Sequence, residues 1–396
     1  MRVLHVIPSV SERSGGPATA IIPMCRALRQ QRIEVLLLTT TAGLPGDDVA
    51  NGEVLDYKGV PAIFFPSQLS ASFKYSRPLA SWMNSNIQNF DVAHIHAVFN
   101  HSSAVAAHAC HKAGVPYIIR PLGTLHPWSM TQKSLRKRLF WHVSGKGMLR
   151  RAAAVHYTSE AEKLSTERHL GLNHGKVIAL GIDANSSDSR DKLAHLFPAL
   201  ESESYVLALS RLHPKKGLDV LIDAFLSLVH MQKFAHWSLV LAGDGSSDYV
   251  SKLKAKIAAS VHRDRIMFTG WLEGEKKNAV LGGASLLVLP SHHENFGFCV
   301  MEALSHSVPV LVSPNVNLAA EIASANAGWI AAIDKNALTG KLAEALSDKD
   351  ELAKRGRAGK QLSQKYSWEN AARGLIDLYR GILALDEHDL PCPTKI

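Results

Sequence analysis

The chain is 396 residues long, carries a net charge of +9 and is 46% hydrophobic. That length holds two domains with a core each, and no stretch approaches the ~20 apolar residues of a membrane-spanning helix. Cys25, Cys110, Cys299 and Cys392 are too scattered for a metal-type spacing or a disulfide framework, which fits a reducing cytoplasm, and the basic excess suits an anionic partner such as a nucleotide, a phosphorylated lipid or a membrane surface.

The N-terminal "MRVLHVIPSV" reads as a first strand and not as a signal peptide, because no small-residue cleavage site follows a long apolar core. "TAIIPMCRALRQQ" then has helical spacing and "IEVLLLTT" is strand-like. "DVAHIHA", "PYIIRPL" and "AAVHYTS" are further short apolar runs, with helical stretches such as "HSSAVAAHACHKAG" between them. Alternation of this kind predicts a parallel sheet covered on both faces. The pattern restarts after Ser202 with "SYVLALSR", "GLDVLIDAFLSLVHM", "WSLVLAGDG", "YVSKLKAKIAASV", "RIMFTGW", "ASLLVLP" and "VPVLVSP". The fold class is therefore α/β, with two doubly wound Rossmann-like domains. The polar, strand-poor "GIDANSSDSRDKLAHLFPALESES" reads as the linker. This places one domain at residues 1–183, a second at 184–366 and a terminal helix in 367–396, ending in a frayed "LPCPTKI". The apolar stripe of "SWENAARGLIDLYRGILAL" requires a partner for one face of that helix.

Ligands of open α/β sheets bind beyond the C-terminal strand ends. After the first strand come Gly15 and Gly16, read either as a plain turn or as a close backbone approach to an anion at a helix start. After "SYVLALS" come Arg211 and Lys216, two cations on one strand-to-helix loop, either a solvated basic loop or a diphosphate clamp. After "ASLLVLP" comes "SHHENFGFCVMEALSH". Here Gly297 lets the loop approach a ligand, and the amides of Phe298 and Cys299 open a short helix. Glu294 precedes that helix and Glu302 lies one turn inside it, so the two carboxylates can accept hydroxyls from different parts of one elongated ligand.

These residues resemble a known family. "ENFGFCVME" is similar to the E-x7-E signature of family 4 glycosyltransferases, and "SRLHPKKG", "SGGP", "FTGW", "LVLPS" and "VPVLVS" fall in that family's order over nearly the whole chain. The resemblance implies the GT-B fold, two Rossmann-like domains facing across a cleft, with the acceptor on the N-terminal domain, the nucleotide sugar on the C-terminal one and the last helix crossing back. It implies retention of anomeric configuration, and catalytic parts for Arg211 and Lys216 on the leaving diphosphate and for Glu294 on the donor sugar. Donor binding would fall to Gly16, Asn295, Phe296, Gly297, Phe298, Glu302 at the ribose and the main chain of Leu272 at the base. The family's usual N-domain His is replaced by Leu122. "RPLGTLHPWS" is instead similar to a subgroup found mostly in polysaccharide assembly, and His96, Arg120 and His126 are candidate substitutes on the acceptor side.

The donor implied by family frequency is UDP-glucose or another UDP-hexose, and the acceptor a saccharide or a lipid-linked saccharide in polysaccharide biosynthesis. A GDP-mannose-dependent mannosyltransferase and an inactive nucleotide-sugar binder are the alternatives. No cofactor is expected beyond the nucleotide sugar, and no metal: "HIH" at His94–His96 offers two imidazoles on one strand face with no third ligand in view, and Asp348-Lys349-Asp350 reads as a solvated turn. Residues 132–153, dense in Lys and Arg with Leu, Phe and Trp at helical spacing, read as a membrane-surface face, placing the protein in the cytoplasm or peripherally on the inner membrane face. A nucleic-acid partner is not expected, because no recognition module is present.

Overall fold

The computed structural model describes residues 1–11, 15–44, 52–68, 73–131, 134–183, 189–201 and 204–386. Cys392 with the rest of "LPCPTKI", Gln132 with Lys133, and residues 184–188 and 202–203 of the expected linker lie outside the described residues. The chain forms two compact units, Met1–Gly181 together with Trp368–Ile396, and Ile182–Ser367.

The first unit is built on β1 (Arg2–Val6), β2 (Glu34–Thr40), β3 (Val54–Tyr57), β4 (Val60–Phe65), β5 (Val92–His96), β6 (Tyr117–Arg120), β7 (Ala154–Tyr157) and β8 (Gly175–Val177). They form one sheet in the order β3-β4-β2-β1-β5-β6-β7-β8, parallel except for the antiparallel pair β3–β4. That hairpin is not anticipated from the apolar runs. Its two-residue turn places Lys58 at φ 52° and Gly59 at φ 81°, the doubly positive pattern that matches strand twist. β1, with β2 on one side and β5 on the other, is the point where chain order reverses.

The long helix Trp368–Asp386 belongs to this unit. It buries Leu375, Ile376, Tyr379 and Ile382, the face its spacing demanded, and it packs on the helix Gly16–Gln30.

The second unit has β9 (Tyr205–Leu209), β10 (Ser238–Ala242), β11 (Ile266–Gly270), β12 (Leu286–Leu289), β13 (Val310–Val312) and β14 (Gly328–Ile330). Their order, β11-β10-β9-β12-β13-β14, is all parallel and is that of a dinucleotide-binding sheet, with the switch point between β9 and β12. The helix Leu218–Val229 buries Leu218, Leu221, Ile222, Phe225, Leu228 and Val229. Each such side chain contributes about 1.5–3 kcal/mol, which anchors the loop that enters this helix.

The expected linker needs correction. Its segment Ser189–Leu196 is a helix that packs on the helix Gly274–Gly283 within the second unit. The Leu193 side chain is buried, and Lys192 pairs with Glu275. The polar composition reflects the outer face of a short amphipathic helix. Asp348, Lys349 and Asp350 are exposed at the junction of the helices Lys335–Leu346 and Lys349–Ser363, as expected, and the Asp348 side chain accepts the amides of Asp350 and Glu351 and caps the second helix.

Candidate active site

Two loops meet at the switch point of the second sheet. One follows β9 and carries Arg211, His213, Lys215, Lys216 and Gly217. The other follows β12 and carries Glu294 to Gly297. They are joined main chain to main chain, the His292 amide donating to the Lys215 carbonyl at 2.8 Å. Gly217 shows why a glycine is required: it sits at φ 65°, and a Cβ there would lie 2.3 Å from the Pro290 carbonyl oxygen. The Lys216 ammonium is thereby brought onto the Glu294 carboxylate, and the two form an ion pair with side chains 12% and 20% exposed.

The Glu294 backbone is clamped as well. Its amide donates to the Asn315 carbonyl at 3.1 Å, and its carbonyl accepts the Asn317 amide at 3.0 Å. Burial pushes the Glu294 carboxyl up, but Lys216, with help from Lys215 and His293, overrides it and holds the group below the usual carboxylate range. Glu294 is therefore an ionised acceptor. Burial, then Arg211, Lys215 and Lys216, push the His213 imidazole down, so it stays neutral beside three cations.

Gly297, at φ 68°, opens the helix Phe298–Ser305, whose first amides have no partner inside the helix. Glu302, one turn on, does not meet Glu294. It is paired with Lys277 at 2.7 Å, with side chains about a quarter exposed. Lys277, on the helix Gly274–Gly283, is not singled out by the sequence, because nothing local connects it to a residue 25 positions later. Cys299 is partly buried beside Lys216, Glu294 and Glu302, and desolvation pushes its thiol up to about 12, so it stays protonated. Asn295 accepts from the Asn317 amide group at 3.3 Å, and Phe296, 3% exposed, packs on the rings of Phe298 and Tyr366. Leu272 follows β11 and is buried, with Trp271 beside it half exposed. Arg211 is exposed. Thus Lys216, Glu294, Asn295, Phe296, Gly297, Phe298 and Glu302 share one strand-end region.

Of the residues expected from the first unit, Gly16 starts the helix after β1, entered through Gly15 at φ 95°. Leu122 and Gly123 adopt consecutive left-handed conformations at φ 60° and 68°, and the Gly123 amide donates to Glu162. His126 is partly exposed, and its carbonyl accepts the Met130 amide at 3.0 Å.

His96 and Arg120 require correction as acceptor contacts. They are 0% and 2% exposed, because they lie in a polar layer inside the first unit. Parallel register aligns His5 with His94 and His96 with Arg120. His156 on β7 completes the layer, 3.2 Å from His94. Burial, then Arg120, pushes His5 down to about 3 and His156 likewise; His94 and His96 are held well below the ordinary imidazole value, burial again leading. His5 supplies the third imidazole that "HIH" lacked in sequence, and ring nitrogens of His5, His94 and His96 lie within 4.8 Å of one another.

His94 and His156 are joined in one chain of hydrogen bonds, while His5 Nδ1 faces His96 Nε2 at 3.0 Å and His5 Nε2 and His96 Nδ1 are buried without a hydrogen-bond partner. His156 Nε2 meets the Ile178 carbonyl at 2.8 Å and must carry the proton there, so its Nδ1 accepts from His94 Nε2. His94 Nδ1 then accepts from the Tyr379 hydroxyl at 2.7 Å. The Arg120 guanidinium lies alongside, and both ring nitrogens of His94 are taken up in this chain of hydrogen bonds.

Residues 15–181 match the family described as "Glycosyl transferase 4-like domain", and residues 191–362 match "Glycosyl transferases group 1". A GDP-mannose:cellobiosyl-diphosphopolyprenol alpha-mannosyltransferase of Komagataeibacter xylinus is 24% identical over 97% of this chain and 94% of its own length. An uncharacterized glycosyltransferase of Methanocaldococcus jannaschii is 27% identical over 46% of this chain, which spans only 45% of it. Among solved structures, Anabaena HepE in complex with UDP-glucose superposes with a TM-score of 0.76 at 19% identity, covering 96% of this chain and all of that one, a likeness of fold.

Proposed function

This chain belongs to the family 4 glycosyltransferases, with the GT-B fold, and we propose that it moves a hexose from a nucleotide sugar to a saccharide or lipid-linked acceptor, with retention and without a bound metal. The observation that carries the reading is the pairing of Lys216 with Glu294 and of Lys277 with Glu302 about one helix start, at the switch point of the second sheet. A donor laid along that line sets its sugar hydroxyls on Glu294, its diphosphate on the amides of Phe298 and Cys299, and its ribose on Glu302.

Lys216 has three N–H donors, so it can keep Glu294 while turning another to a phosphate oxygen. As the bond from the anomeric carbon to the diphosphate breaks, charge grows on the leaving oxygen. Lys216 and the exposed Arg211 are placed to stabilise it. The acceptor oxygen attacks from the same face, and its proton passes to the departing phosphate. Positive charge at the leaving group is thus supplied by side chains, the role a metal has in other transferases.

The donor we favour is UDP-glucose or another UDP-hexose, which the UDP-glucose bound by the HepE neighbour supports as a fit to the fold. A GDP-mannose donor is the second reading, favoured by the activity of the Komagataeibacter mannosyltransferase, which matches over 94% of its length. That relative's polyprenol-linked acceptor supports a lipid-linked acceptor here and a working place at the inner membrane face. Hydrolysis of UDP-glucose, UDP-galactose, GDP-mannose and ADP-glucose without acceptor, monitored as nucleotide release, tests the reading. Release from one donor, abolished in Lys216→Ala, is expected. Binding without release from any donor would leave a nucleotide-sugar binder instead.

A further inference from the structure

Residues 134–151 hold Arg136, Lys137, Arg138, Lys146, Arg150 and Arg151 and no acidic residue. They fold as the helix Ser134–Phe140, a π-helical turn Trp141–Gly145 and the helix Lys146–Arg150. One side of this ridge is anchored. Phe140 packs edge-on against Phe73 and Phe99, Met148 and Leu149 are buried, and the Met148 carbonyl accepts the Tyr117 hydroxyl at 2.8 Å. The opposite side is not covered. Leu135, Leu139 and Val143 are 80%, 68% and 75% exposed, at successive four-residue steps along one line. Large aliphatic side chains rarely stand this free in a row unless something covers them.

The charges on that ridge identify the occupant. Arg136, Arg138 and Lys146 are exposed beside the apolar line, and long cationic side chains flanking aliphatic ones is the arrangement of a helix lying in a bilayer interface. A second copy of this chain would set like charges against like. Beside the ridge opens a cavity of about 230 Å³, lined by Trp141, Lys146, Leu149, Arg150, His169 and Leu170. Its lining mixes cations with apolar side chains, the pairing that suits a phosphate ester carrying an acyl glycerol. At Gly145 a Cβ would meet the Trp141 ring at 3.0 Å, so glycine lets that ring lie close over the π-helical turn beside the cavity.

We propose that this ridge is a bilayer-docking surface, in which Leu135, Leu139 and Val143 enter an anionic membrane while Lys146 and Arg150 take one lipid phosphate into the adjoining cavity. The purpose assigned to it, delivery of a lipid-linked acceptor, rests on the function proposed above. The docking itself stands on the exposed line, the one-signed charge and the cavity.

The test is co-sedimentation of the full chain with vesicles of phosphatidylcholine alone and of phosphatidylcholine mixed with phosphatidylglycerol. Binding to the mixed vesicles should be stronger by roughly tenfold or more and should weaken with salt. Replacing Leu135, Leu139 and Val143 together by Gln should abolish it, and because all three are exposed the variant should keep its melting temperature. Lys146→Ala with Arg150→Ala should remove the preference for phosphatidylglycerol while leaving residual sedimentation. Equal binding to both vesicle types, or full binding by the Gln variant, overturns the proposal. Competition by millimolar inorganic phosphate against the wild-type chain would reassign the cavity to a free anion and overturn the headgroup assignment. Donor hydrolysis without vesicles, followed in parallel, keeps the readings apart: its loss in the wild type defeats the catalytic reading alone, and its persistence with no vesicle binding defeats the docking alone.

Discussion

The two units place their polar residues in opposite ways. In the second, lysines and carboxylates stand in pairs at the C-terminal strand ends, with side chains 12–29% exposed. In the first, four imidazoles and the Arg120 guanidinium lie within the fold at no more than 2% exposure. A half-buried ion pair keeps its charge and has donors and acceptors to spare, so it can serve a ligand. A sealed layer disfavours several charges at once, so its imidazoles are held neutral, even though His5 Nε2 and His96 Nδ1 are left without a hydrogen-bond partner. Its Arg120 keeps Glu162 as a countercharge. The contrast is one of access: the paired lysines and carboxylates of the second unit stay within reach of a ligand, whereas the histidines of the first lie inside its strands.

The most direct way to break this comparison is Lys216→Ala. If the pair in the second unit works on the leaving diphosphate, kcat should fall by a factor of about 10²–10³, or roughly 3–4 kcal/mol, with donor KM little changed. A rise in KM at constant kcat, measured in steady state, would assign Lys216 to ground-state binding.

Acidification separates the units next. His5 and His156 titrate near 3 in the fold and near 6.5 when unfolded, so between those values the unfolded chain binds more protons. Stability of the first unit should therefore fall as pH drops below about 6.5, by about 1.4 kcal/mol per pH unit for each such histidine, until the folded values are reached. Glu294 has the opposite shift: its contribution is present above the ordinary carboxylate value and is lost only as pH falls through its lowered one. Calorimetry from pH 7 to pH 5 should show the first unit losing stability while nucleotide binding persists. Parallel loss in both would remove the distinction.

Tyr379→Phe probes the sealed layer alone. It leaves His94 Nδ1 a buried acceptor without a donor, at a cost of about 1–3 kcal/mol. Thermal unfolding should register this, with donor affinity unchanged; an altered donor Kd would tie the layer to the site. The smallest effect is expected of Glu302→Gln, which keeps an acceptor but loses the charge facing Lys277 and should weaken free UDP, or free GDP if that is the nucleotide, by about tenfold in calorimetry, near 1.4 kcal/mol. Unchanged nucleotide affinity would remove Glu302 from the ribose.

Much of this was legible in one dimension. Apolar runs of four to seven residues alternating with helical stripes announce buried parallel strands, because a strand covered on both faces has no polar side to show. Gly217 and Gly297 announce loops with left-handed backbone, and "ENFGFCVME" announces paired acceptors because its spacing is local. The single apolar face of "ARGLIDLYRGILAL" announces that something must cover it. The hairpin at Val54–Phe65 escaped, since its first strand is half exposed and only its Lys58-Gly59 turn carried a signal. Tertiary structure alone decided the pairings. Lys277 reaches Glu302 only when two helices are brought side by side. Tyr379 meets His94 across 285 residues, and His5 joins "HIH" because β1 lies beside β5. Whether His96 and Arg120 face a ligand or a core depended on which sheet face the last helix covers. Sequence specifies the period and composition of each element, whereas burial and partnership are properties of the packed sheet, set by strand order and register that no local pattern encodes.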